Sequence, residues 1–225
     1  MKKLVIAAMV LSIPVLTFAE KSLYKNIKIV KNTEMRAGGF TIPESFLKET
    51  ENKMNQMKAK GYVDHDSTYP RRLLNMGFKG VTFGPSQKYE DSDLKKSSNE
   101  VKLAFPYSPP IANSIAFAPI GMLSKDGWTG IKEFFSHKEI GTCEYSLSNM
   151  ELAQGSVEID KNVVRYDVNN KPTTIMIEGN VNSGFMYSIN WFDDKYDKQL
   201  RCANMDYKPE LRNKIIELAK MIDNK

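Results

Sequence analysis

Cysteine and histidine are scarce in this 225-residue chain: two of each are present. A thiol or hydroxyl nucleophile would therefore have to draw its base from His65 or His137, and metal ligation has one tight cluster to work with, Asp64-His65-Asp66. No G-x-S-x-G nucleophile elbow occurs. The glycines of "RAGG" (Arg36–Gly39) lack the lysine and further glycines of a phosphate loop. Concentrated charge of one sign is absent too. The 32 Lys and Arg and 27 Asp and Glu are interleaved, net +5, without the basic stripe of a nucleic-acid binder. Nucleic acid is thus not an expected partner.

One long apolar run is present, at the start. In "MKKLVIAAMVLSIPVLTFAEK", Lys2 and Lys3 precede the apolar stretch Leu4–Leu16, and Thr17-Phe18-Ala19 offers a small-residue cleavage site before Glu20. That order is the pattern of a secretory signal peptide, and its core is too short to span a bilayer. The expectation is a signal peptide over 1–19 and a periplasmic or secreted bacterial chain over 20–225. Its charge is +3, from 30 basic against 27 acidic residues once Lys2 and Lys3 leave. The second charge-free stretch, Leu103–Ser124, contains Pro106, Pro109, Pro110 and Pro119. Proline interrupts helical hydrogen bonding, so this segment is not expected to span a membrane.

The mature chain reads as one α+β domain, irregular and helix-containing over 20–140 and strand-rich over 141–225. A short strand is expected around Lys25–Val30. "TIPESFLKETENKMNQMKAKG" predicts a helix with Thr41 and Glu44 at capping-box spacing, an apolar face of Phe46, Leu47, Thr50, Met54 and Met57 packed in the core, and Gly61 as its stop. "RRLLNMGFKG" suggests a short helix, and "SQKYEDSDLKKSSNE" a solvated loop. "SKDGWTGIKEFFSHKEIG" predicts another helix, with Trp128, Ile131, Phe134 and Phe135 as its apolar face and Gly141 as its end.

From Gly141 alternation takes over. Cys143, Tyr145 and Leu147 share one face; so do Phe185, Tyr187, Ile189 and Trp191, and so do Leu200 and Cys202. Turns fall at Asp160-Lys161-Asn162 and Asn169–Pro172. "KPELRNKIIELAKMIDNK" predicts a last helix with Leu211, Ile215, Leu218, Ala219 and Ile222 in a stripe. The fold expected is a C-terminal antiparallel β-meander of four or five strands, packed on one side against N-terminal and C-terminal helices.

Both cysteines then lie on strands among apolar neighbours. Export supplies an oxidising compartment, and an even count leaves no spare thiol, so Cys143 and Cys202 are expected to form a structural disulfide joining the first and last strands of the meander. Two free thiols, or a catalytic Cys143 served by His137, are the alternatives. Asp64-His65-Asp66 reads as a polar surface turn, because an extended backbone points His65 away from the two acids. "WFDD" (Trp191–Asp194) has the residue types of a sugar site, but reads more simply as a strand ending in a turn.

Two functions remain. The first is an exported, non-enzymatic binding or interaction protein without cofactor or metal. Its contact surface is expected at Phe105, Tyr107, Ile111, Ile115, Phe117 and Ile120, facing a protein or an envelope or lipid surface. The second is an exported hydrolase whose acids or histidines converge only in the fold; a polar cleft holding a perturbed acid would favour it.

Overall fold

The computed structural model describes residues 24–37, 40–79, 101–112 and 114–225, together with 82–83 and 87–88. The expected signal peptide and most of the expected loop at 86–100 lie outside them. Along the chain come β1 (Ile27–Val30), β2 (Arg36–Ala37), β3 (Phe40–Thr41), α1 (Glu44–Lys60), β4 (Val63–Asp64), α2 (Tyr69–Lys79), β5 (Thr82–Phe83) and β6 (Gln87–Lys88). The sheet-forming half adds β7 (Ser114–Ser124), β8 (Gly127–His137), β9 (Gly141–Asn149), β10 (Val157–Asp160), β11 (Arg165–Val168), β12 (Lys171–Asn180), β13 (Gly184–Phe192) and β14 (Tyr196–Asn204), then α3 (Pro209–Asp223).

Eight strands build one sheet in the order β11-β12-β13-β14-β9-β8-β7, with β4 added to β12. Neighbours on the path are antiparallel, while β4 runs parallel to β12. The class is α+β, but the sheet is larger than the sequence suggested, because β7 and β8 belong to it. Residues 127–137 are a strand, not the expected helix. β8 is buried on both faces, so its apolar residues follow no clean alternation, and their spacing imitates a helical stripe. Likewise Ser114–Ser124 is regular despite Pro119. An edge strand tolerates proline, and among the described strands β7 pairs only with β8, through a ladder broken by two register shifts.

Helices cover both faces rather than one. On the inner face, Cys143, Tyr145, Phe185, Tyr187, Ile189, Trp191 and Leu200 pack against Leu211, Ile215, Leu218, Ala219 and Ile222 of α3. Pro209 opens α3, where its missing N–H is harmless. Each fully buried aliphatic side chain of this layer contributes about 1.5–3 kcal/mol. On the outer face, strand neighbours of those residues (Phe134, Met186, Ala203) meet Leu73 of α2. At one end of the sheet, β1 pairs in parallel with β10, and Ile27 and Ile159 close over Phe192 and Met150.

α1 ends at Gly61, whose φ of +82° makes the left-handed cap. Its start differs from expectation: the N-cap is Pro43, and no side chain caps it. Nor does α1 pack as a core helix, for none of its residues is buried. Gly141 opens β9 at φ +117°, and a Cβ there would stand 2.3 Å from the Ala203 oxygen, so β9 and β14 approach closely only because this position is glycine.

Candidate binding site

The outer face carries polar residues in rows set by strand register. The row nearest α2 contains Glu144 and Arg201, which are direct partners on β9 and β14. Glu144 has no exposed surface. It accepts hydrogen bonds from Tyr69 and from Arg201 Nη1 at 3.1 Å, and Lys132 Nζ lies 3.3 Å away. The Arg201 guanidinium also stacks 4.7 Å over the Tyr69 ring. Burial, followed by the bond to Glu144, pushes the Tyr69 hydroxyl well above its usual range. This group ties α2 to the sheet.

The next row crosses four strands as Lys132, Ser146, Gln199 and Asn190, and ends on Thr174 of β12. Gln199 Nε2 donates to Asn190 Oδ1 at 2.7 Å, and Asn190 Nδ2 donates to Thr174 Oγ1 at 3.2 Å. One row further on, Asp197 stands between Ser148 and Phe192. Its carboxylate has no hydrogen bond or ion pair among the described residues, and burial pushes it up to about 6.

Beyond Thr174 and Phe192 the face opens into a cleft of about 290 Å³. Phe46, Leu47 and Thr50 from the start of α1 roof it. Asn32 and Met35, from the short turn after β1, close one side, and Val157–Asp160 of β10 with Val163 close the other. The apolar face that the sequence assigned to α1 thus divides: Phe46, Leu47 and Thr50 line this space, while Met57 packs half-buried against the main core. Glu158 Oε2 accepts the Arg36 backbone N–H at 2.6 Å, and Asp160 Oδ1 accepts two bonds from Asn162. Asn32 Oδ1 is buried with no partner among the described residues.

Cys143 and Cys202 are joined in a disulfide. That removes the thiol a catalytic Cys143 would need. The pair is placed differently from expectation: it links adjacent central strands, not the two ends of a meander. His137 Nδ1 accepts the Glu139 backbone N–H at 3.3 Å in the β8–β9 turn. Asp64, His65 and Asp66 are all exposed, and no group of three metal-ligating side chains converges among the described residues. "WFDD" is structural: Trp191 is buried and donates Nε1–H to Asp223 Oδ1 at 2.9 Å, Asp193 caps the β13–β14 turn, and Asp194 Oδ1 accepts the Lys25 N–H at 2.8 Å.

The expected contact surface divides. Phe105 is a core residue at 7% exposure, and Tyr107, Ile111 and Phe117 pack half-buried against the same cluster. The polar tip of Tyr107 explains its position, since it donates to the fully buried Glu133 at 2.7 Å, alongside Ser114. Burial raises the Glu133 carboxyl, and these two donors oppose the rise. Ile115 is half-buried against the α2 cluster, and Ile120 is half-buried on the edge strand β7. The exposed apolar residues lie just beyond, at Met122 and Leu123.

Sequence reasoning missed the cleft altogether. Asn32, Glu158 and Thr174 are far apart in the chain and sit in no motif; only the β1–β10 and β12–β13 pairings bring them together. No helix among the described residues is long and apolar enough to cross a membrane. No protein-family model, no curated protein and no solved structure matches the chain.

Proposed function

We propose that this chain is an exported, periplasmic or secreted, non-enzymatic binding protein whose ligand sits in the cleft beneath α1. The observation that carries the reading is the cleft itself. About 290 Å³ stays open to solvent between α1 and β10. That is near the lower end of small-molecule sites, and the lining is the usual apolar wall with a few polar groups. The space is open to solvent beside α1, so entry needs no displacement of the helix. The disulfide supports export into an oxidising compartment.

The test is titration of the chain from Glu20 onward with the apolar fluorophore N-phenyl-1-naphthylamine, beside a Leu47→Trp variant whose indole fills the cleft. Saturable enhancement that the variant abolishes, at unchanged circular dichroism, supports the reading. Absence of saturable binding overturns it. Within the same proposal, contact with an envelope partner falls to Ile120 and the exposed hairpin tip at Met122 and Leu123.

The hydrolase reading has one observation in its favour, the carboxyl of Asp197 raised to about 6 beside a polar row. Glu144 is no partner for it. Ser148, opposite Asp197, is four residues from Glu144, which places the two acids about 13 Å apart along the strands, beyond the spacing of glycosidase pairs. Glu144 is also held by Arg201 and Lys132. Binding is therefore the better-supported function.

A further inference from the structure

The cleft beneath α1 offers a ligand little besides hydrocarbon. Its accessible surface is almost wholly apolar, set by Met35, Leu47, Val157, Val163 and the rings of Phe46 and Phe192. The two acids at its edge are engaged by groups that do not line it. Glu158 accepts the Arg36 backbone N–H, and Asp160 accepts two bonds from Asn162. Thr50 gives its hydroxyl proton to the Phe46 carbonyl at 3.0 Å. On the exposed side of α1, Glu44 pairs with Lys48 at 2.8 Å and Glu49 with Lys53 at 2.9 Å. Phe46 lines the space yet is 53% exposed, so its ring stands at the mouth. Small-molecule sites fix orientation through a few placed polar groups. Among the described residues, the charged groups at this cleft are engaged by the chain itself, so its lining selects by apolar length rather than by head group.

Resting on the proposal that this cleft is a ligand site, we infer that its ligand is the straight aliphatic chain of a single-chain amphiphile, with the chain against Met35, Leu47, Val163 and Phe192 and the head left in water beyond Phe46. The space holds about ten water volumes, room for one chain of about eight carbons and not for two. Seating the chain takes apolar surface out of water on both partners, and each methylene that enters raises affinity about fourfold. A sugar or an amino acid would give up its hydration here without gaining hydrogen bonds in return, which opposes binding.

The experiment displaces N-phenyl-1-naphthylamine from the chain beginning at Glu20, at neutral pH, with n-hexanol, n-octanol and n-decanol, and with octanoate and octyltrimethylammonium as probes of the head. Wild type is compared with Glu158→Gln and Leu47→Ala, and circular dichroism checks the fold of each. Octanol should bind about fifteenfold more tightly than hexanol, and decanol should add less than that over octanol because the cleft is then full. Octanoate and octyltrimethylammonium should bind within about threefold of each other, since a head in water is screened. Glu158→Gln should change none of these affinities. Leu47→Ala makes room for further carbons, so decanol should gain more over octanol than it does in wild type. If the fluorophore binds saturably but no alkyl chain displaces it, if hexanol and octanol displace it equally, or if one head charge is preferred by about tenfold or more, the chain inference falls while the cleft reading stands. If the fluorophore itself shows no saturable binding, the cleft reading falls as well.

Discussion

Cys143 on β9 and Cys202 on β14 stand directly opposite each other at the centre of the eight-stranded sheet, joined through their sulfurs. Both are fully buried. β10 to β13 lie in the loop that the bond closes, so it holds the central ladder in register while the intervening hairpins form. With 59 residues of separation, the chain-entropy model gives about 4 kcal/mol. Replacing both cysteines by alanine should lower Tm by several degrees in a thermal melt. The native protein should resist mild reductant, and non-reducing peptide mapping should recover Cys143 linked to Cys202. Two titratable thiols in the native protein would overturn the assignment.

Asp197 and Asp223 should respond to pH in opposite directions. Burial raises Asp197 to about 6, above its ordinary value near 3.9. A raised carboxyl adds stability while protonated and loses it as pH rises through about 6. Asp197→Asn should therefore stabilise the protein by up to about 3 kcal/mol at pH 8, and the gain should vanish near pH 4. Urea unfolding at the two pH values measures this, and equal effects at both would refute it.

For Asp223, burial alone would raise the carboxyl, but hydrogen bonds from Lys171, Lys198, Asn169 and Trp191 outweigh it and hold it well below the carboxylate range. Its stabilisation is present at neutral pH and is lost only in strong acid. Asp223→Ala leaves the half-buried Lys171 and the buried Lys198 facing Asp193 alone. It should cost about 3 kcal/mol at neutral pH, read as a fall in urea midpoint at constant slope.

The segment Leu103–Ser124 offers a contrast of burial with exposure. Phe105→Ala should cost about 3–5 kcal/mol, because the ring is in the core. Lysine at Ile111 or Ile115 should also destabilise, since both pack against buried clusters. Leu123→Lys, at 67% exposure, should change stability by less than about 0.5 kcal/mol. Envelope pulldown with Leu123→Lys then tests contact separately from folding. Retention of every partner would remove the hairpin tip from the proposal.

The two halves of the chain differed in how much they revealed. β13 and β14 were readable because one face is apolar and the other polar, so Phe185, Tyr187, Ile189 and Trp191 mark their own side. α3 was readable for the same reason at helical period. β8 was not, because Phe134 and Phe135 face opposite layers, α2 and α3, and a strand buried twice loses its period.

Sequence by itself determined the covalent and local facts: an even pair of cysteines, a helix ended by Gly61, and a last helix with one apolar stripe. Tertiary structure decided which surfaces remain free. It took Phe105 into the core and set the Tyr107 hydroxyl on the buried Glu133. It also left α1 lying over an open cleft, because β1 reaches β10 across more than a hundred residues. Local propensity acts within a few residues. Burial and pairing are sums over neighbours that only the closed fold supplies, and the cleft exists at that level.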